Sequence, residues 1–214
     1  MPQPVGAAAR PARTPRLVAV STGIAAPLNV AARGGREAVA SAIVKRPIST
    51  LDLPEAVAVA RLGVAGDEQV DQSVHGGLDK AVYLYPIEHY AFWNTVRGQA
   101  KLPPLPPAGA LGENLTVEGL LEGDVCIGDV LAIGEVELRI ESPRSPCFKF
   151  NAHMGFAWAS KMMVQSGYTG FYCSVVRPGR LAAGQPVLKR AGDRVVSIEQ
   201  MHRLKHRSPQ SRLF

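Results

Sequence analysis

The chain has 214 residues, a 46% hydrophobic fraction and a formal net charge of +6. That length suits one domain with at most a small appendage, and no apolar run reaches the length of a membrane span, which argues against a membrane protein. The positive balance suits an anionic ligand or a phosphate-bearing cofactor. The cations are scattered and no nucleic-acid-binding motif is present, which argues against a nucleic-acid partner.

Residues 1–16 hold four prolines, three arginines and no acidic residue. They lack the apolar stretch of a secretory signal, and the prolines break any transit-type helix, so they read as a disordered arm. A folded domain is expected over residues 17–192, followed by a basic helical tail over 193–214. Strands are predicted at 17–21, 42–45, 57–62, 80–85, 114–117, 129–133, 135–140, 170–176 and 186–190, where β-branched and aromatic residues cluster between glycines and prolines. Gly34-Gly35-Arg36 reads as a hairpin tip. Helices are predicted at 86–97, opened by Pro86, at 156–165, and at 197–206, where Ser197 and Gln200 have capping-box spacing. Residues 101–107, rich in proline, read as a stiff connector. The balance is mainly β with short helices (α+β), arranged as a twisted barrel or a partly closed mixed sheet.

The three cysteines make an odd count with no CxxC pair, which suits a reducing cytoplasm. Cys126 and Cys173 sit among apolar neighbours and read as core residues. Cys147 differs. It lies in Ser142-Pro143-Arg144-Ser145-Pro146-Cys147-Phe148-Lys149, directly after a predicted strand. Two prolines stiffen the backbone, and Arg144 and Lys149 place positive charge near the sulfur. Cations favour the thiolate, the form that attacks electrophiles and binds metal.

Other stretches offer weaker signals. Gly76 and Gly77, beside His75 and Lys80, can cradle an anion with backbone amides, or simply form a turn. Gly112-Glu113-Asn114 carries groups able to read a heterocycle edge, or leads into a strand. Gly123-Asp124 and Gly128-Asp129 read as turns. His202 and His206 have metal-ligand spacing, but Arg203, Lys205 and Arg207 around them would repel a cation, so they read as a solvated basic helix end. His153 has no second cysteine to complete a zinc set, and His89 reads as structural.

Taken in order, Gly66-Asp67-Glu68-Gln69, Val74-His75-Gly76-Gly77-Leu78-Asp79-Lys80-Ala81, Tyr85-Pro86, Glu88-His89-Tyr90, Gly112-Glu113-Asn114-Leu115, Gly128-Asp129 and the Cys147 segment resemble the MOSC-domain family (molybdenum cofactor sulfurase C-terminal domain). The resemblance covers about residues 17–190 and is to the small stand-alone bacterial members linked to hydroxylaminopurine detoxification. It implies a β-barrel-like fold and a molybdenum cofactor (Mo-molybdopterin) whose metal is held by Cys147. It implies reduction of small N-hydroxylated substrates, such as N-hydroxylaminopurines, to amines, with electrons from a flavoprotein or another separate donor. By motif position, Lys80 and Arg144 neutralise the cofactor phosphate, and Gly76 and Gly77 give close backbone approach. His75, Glu113 and Asn114 contact the pterin or gate its pocket, and Ser145 donates to a sulfur or an oxo group. Some larger relatives carry a basic residue after the first strand where this chain has Ser21-Thr22-Gly23, so phosphate binding is expected elsewhere. Relatives also continue into a helical C-terminal segment where this chain stops at Phe214, so a donor-docking surface is expected to be reduced. The chain has no pyridoxal-phosphate sulfurase domain. A cofactor or sulfur carrier, with Cys147 as a persulfide or metal-binding thiol and no turnover, is the competing reading. A thiol redox sensor is the third, and an oligomer is compatible with the sequence.

Overall fold

The computed structural model describes residues 14–32, 34–70 and 76–207. Its strands are β1 (Arg16–Thr22), β2 (Ala26–Ala32), β3 (Gly35–Ser41), β4 (Arg46–Thr50), β5 (Val57–Ala60), β6 (Gly63–Val64), β7 (Val82–Pro86), β8 (Leu115–Glu118), β9 (Val130–Ile133), β10 (Val136–Pro143), β11 (Phe171–Arg177), β12 (Gly179–Leu181) and β13 (Leu188–Arg190). The helices are α1 (Tyr90–Gln99), α2 (Phe148–Met154), α3 (Ala159–Ser166) and α4 (Ile198–Arg207), with single 3-10 turns at Leu78–Lys80 and Ile87–His89. Among these residues, no helix is long and apolar enough to cross a membrane.

Eight strands form one curled sheet in the order β13-β9-β10-β11-β7-β8-β1-β4, antiparallel except for the β7–β8 pair. The chain just before β13 returns to the start of β1. Leu17 N–H donates to Gln185 O (2.9 Å), Gly184 N–H to Leu17 O (2.7 Å) and Val187 N–H to Pro15 O (2.7 Å). These bonds partly close the barrel, the mainly β, partly closed architecture expected from the strand pattern. The three-stranded sheet β12-β5-β6 and the hairpin β2-β3 stand apart from it.

All five residues of β7 are buried, because the strand separates two apolar layers. Successive side chains on a strand point to opposite faces. Val82 and Leu84 therefore enter the barrel core with Leu115, Leu138, Ile140 and Phe171. Tyr83 and Tyr85 face outward and pack with Trp93, Phe150, Met154 and Met163 of the helices. Trp93 Nε1 donates to Tyr85 Oη (2.6 Å), whose hydroxyl donates to Tyr168 O (3.0 Å), so the aromatic layer buries no unpaired polar atom at that point.

Several expectations are corrected here. Residues 42–45 form no strand; they leave the end of β3 and run past Gly23 and Gly112. The hairpin tip read at Gly34-Gly35-Arg36 is found there, but the two strands it joins, β2 and β3, were not among the predicted strands. Helix α2 begins immediately after Cys147, where a stiff loop was expected. Arg16, expected to end the arm, already belongs to β1 and pairs with Glu118 (2.5 Å), while residues 1–13 lie outside the described residues. The capping box forms as read: Ser197 N–H donates to Gln200 Oε1 (3.0 Å) and Gln200 N–H to Ser197 Oγ (3.1 Å).

Candidate functional site

Strand β10 delivers Pro143, and the next three residues turn the chain so that Arg144 points inward and Ser145 outward. Cys147 then caps α2 in extended conformation. Its carbonyl is held twice, by Phe150 N–H (2.9 Å) and by Ser160 Oγ of α3 (3.0 Å). The half-buried thiol is thus carried on a fixed corner. It lines a cavity of about 110 Å³ with Arg144, Lys45, Lys80, Asn114 and Tyr172 among the other walls.

Arg144 is 7% exposed. Its guanidinium lies 4.9 Å from the Tyr83 ring centre and 4.8 Å from that of Phe150, and donates to Leu111 O. Planar stacking against aromatic faces suits an arginine better than a lysine. Among the described residues no carboxylate forms an ion pair with it.

Lys45 ends the 42–45 segment and forms a buried ion pair with Asp67; the side chains are 8% and 7% exposed. Burial lowers the Lys45 pKa from 10.5, while the Asp67 charge opposes the shift. Asp67 is itself fixed, accepting Gly23 N–H (2.8 Å) and Asn114 Nδ2 (2.8 Å). Asn114 Oδ1 accepts Tyr83 N–H (3.1 Å), so this amide ties together β1, β7 and the turn at Asp67. The 42–45 segment fits between two glycines. A Cβ on Gly23 would lie 2.5 Å from Val44 O, and one on Gly112 would lie 2.9 Å from Ile43 Cγ1.

Of the residues singled out from sequence, Cys147, Arg144, Lys80 and Asn114 share this cavity. Lys80 Nζ stands 5.9 Å over the Tyr172 ring. Glu113 is placed differently: fully buried behind the wall, it accepts from Tyr90 Oη, Gly109 N–H (2.9 Å), Leu111 N–H (2.9 Å) and Thr116 Oγ1 (2.9 Å). Four donors saturate its carboxylate, so it shapes the loop rather than facing a ligand. Gly76 and Gly77 are not among the cavity walls. The missing side chain of Gly76 makes room for Gln69, whose Oε1 accepts Gly77 N–H (2.9 Å) and would lie 2.5 Å from a Cβ on Gly76. Gln69 is the residue that reaches the cavity. Ser145 is exposed and is not among its walls. His75 lies outside the described residues.

Sequence reasoning missed Lys45 and assigned Asp67 no role. The available signal was a lysine closing the apolar run Ala42-Ile43-Val44, but nothing local shows that it meets a carboxylate 22 residues on. Cys126 and Cys173 are buried, and burial raises the Cys173 pKa, as befits an inert core thiol. His202 corrects the solvated reading: it is 4% exposed and donates from Nε2 to Val164 O (2.8 Å), while His206 is exposed. His89 pairs with Glu122 (2.8 Å) and stacks on Tyr168 at 3.8 Å. No group of three or more metal-ligating side chains occurs among the described residues.

A family model described as MOSC domain matches residues 71–188, more than half of the chain. An uncharacterized protein of Bacillus subtilis strain 168, YflK, is 40% identical over 165 residues, covering 77% of this chain and 70% of the relative. A protein of Gibberella moniliformis named "Reductase" is 36% identical over 129 residues, covering 58% of this chain and only 22% of that much longer relative. The crystal structure of YiiM from Geobacillus stearothermophilus superposes with a TM-score of 0.69 at 28% identity, covering 90% of this chain and 84% of that one. By sequence and by fold, the chain belongs to the MOSC domain family.

Proposed function

We propose that the chain binds a molybdenum–pterin cofactor through Cys147 and reduces small N-hydroxylated compounds, such as N-hydroxylaminopurines, to amines with electrons from a separate donor. One observation carries the reading: the Arg144 guanidinium is buried without a carboxylate partner among the described residues, on the cavity that holds the Cys147 thiol. A buried charge is costly unless paired, so such a cation calls for an anionic ligand. A thiolate on the same wall calls for a soft metal. The donor set therefore fits a group that is both anionic and metal-bearing. The space of about 110 Å³ suits a metal with its small ligands. It is below the roughly 300–1,000 Å³ of a pocket that swallows a whole organic ligand, so a pterin would extend beyond it.

Bound there, the metal would supply two-electron redox chemistry. The chain's own residues bind, orient and hold protons. Arg144 and Lys80 would hold the anionic part of the cofactor, and Cys147 Sγ would ligate the metal. Asp67 neutralises one side of Lys45, leaving the remaining Nζ protons for a group in the cavity. The family membership and the reductase name of one relative agree with this assignment in kind.

The test is metal analysis of protein made in a cofactor-producing host. Wild type should carry near-stoichiometric molybdenum and reduce 6-N-hydroxylaminopurine. Cys147→Ala should lose both. Full metal and activity in that variant overturns the assignment, and a persulfide at Cys147 without turnover turns it into a sulfur carrier.

A further inference from the structure

A second concavity lies on the other side of the Cys147 turn. It runs between the exposed face of β2 and helix α2, and its walls include Leu28, Ala31, Phe148, Ala152, Gly155 and Phe156. Phe148 follows Cys147 directly, so the groove and the thiol cavity flank one turn of chain, with adjacent Cα atoms about 3.8 Å apart. Phe148 is 56% exposed, and Trp158, which caps α3, is 66% exposed. Scattered apolar residues on a surface are ordinary, but two large aromatics beside an apolar groove mark an interaction site.

The charge around the groove has one sign. Arg36 is the charged residue among its walls, and no carboxylate lines it. Lys161 stands 5.6 Å over the Trp158 ring. An apolar centre with a cationic rim is complementary to an acidic protein surface, which such charges would also steer into place.

Resting on the reductase reading above, we infer that this groove is the docking surface for the electron donor, an acidic protein carrying a reduced flavin. Converting R–NH–OH to R–NH2 and water breaks the N–O bond and consumes two electrons and two protons. The flavin supplies the electrons and is itself oxidised; the protons come from solvent. Electron transfer weakens steeply with distance, and a partner seated against Phe148 stands one residue from the proposed metal ligand.

The experiment compares two reductants acting on metal-loaded full-length protein with 6-N-hydroxylaminopurine as substrate. Reduced methyl viologen needs no docking surface, whereas reduced flavodoxin is an acidic flavoprotein that does. Trp158→Ser, Phe148→Ser and Arg36→Glu should each raise the KM for flavodoxin about tenfold, the effect of losing one interface anchor. The viologen-driven rate and the molybdenum content should stay at wild-type levels. The flavodoxin-driven rate should also fall as salt is raised. Equal losses with both reductants, no loss with either, or a wild type active with viologen but inert with flavodoxin overturns the docking site. A wild type inert with viologen sinks the reductase reading itself. A change of mass in sedimentation on substitution gives the groove to a second copy of the chain and overturns the donor assignment.

Discussion

Arg144 and Lys45 are both buried cations on one cavity, yet they do different work. Lys45 has its carboxylate within the fold, so the pair is internally neutral. Removing one member of such a pair strands the other: Lys45→Met should cost about 3–5 kcal/mol in urea unfolding, and adding Asp67→Asn should recover most of it. A cost for the double variant as large as for the single one would show that the charges are not coupled. The pH dependence has a definite sign. Burial holds the folded-state pKa of Lys45 below 10.5, so between that value and 10.5 the unfolded chain binds more protons. The penalty of burying this charge is full at neutral pH and shrinks as pH rises towards 10.5, so wild type should gain stability relative to Lys45→Met over that alkaline window. The Cys147 turn was readable from sequence because its prolines, cation and thiol are contiguous. Lys45 was not, because its meaning depends on Asp67, which approaches through a tertiary contact. Glu113 misled for the opposite reason: a polar residue in a suggestive motif was fully occupied by its own loop.

At the level of elements, residues 42–45 show why a strand-like pattern need not become a strand. Ala-Ile-Val suits a strand, but the segment is pressed between glycines instead of pairing in a sheet. Gly23→Ala would place a methyl group 2.5 Å from Val44 O and 2.7 Å from Ala42 O, so the segment carrying Lys45 must move. The expected loss is about 1–3 kcal/mol, the scale of overpacking, together with reduced metal retention. Gly34→Ala offers a control: its φ of +100° is unfavourable for alanine, but nothing lies within 4 Å of the new atom. It should cost about 1 kcal/mol and leave metal retention unchanged. Equal metal loss in both variants would show that backbone strain, not the clash, matters at Gly23. The start of α4 was more readable than this segment, since the Ser197–Gln200 box is a local device. The tip of hairpin β2-β3 was legible in its glycines, but its strands were not, because most of their side chains are exposed and carry no apolar alternation.

For the molecule as a whole, the strand and glycine pattern foretold a barrel or a partly closed sheet, but not where it closes. The seam joins residues 15–17 to 184–187 through backbone hydrogen bonds. Such bonds leave no mark on side-chain pattern, which is why composition and periodicity could not locate them. If the seam is integral to the barrel, the amides of Leu17, Gly184 and Val187 should exchange with solvent only through global unfolding, as slowly as those in β10 and β11. Exchange orders of magnitude faster would make the closure a frayed edge.

That seam also governs the order of events during synthesis. Strand β1 leaves the ribosome well ahead of its partners around Gln185, which are made some 170 residues later by chain position. At about 5–20 residues per second, the nascent chain carries an incompletely paired strand for roughly 10–30 seconds. Loop-closure entropy works against the last stitch until β9 to β13 have assembled. The barrel is therefore finished at its earliest-made strand, and a factor that shields emerging β structure would matter most for β1.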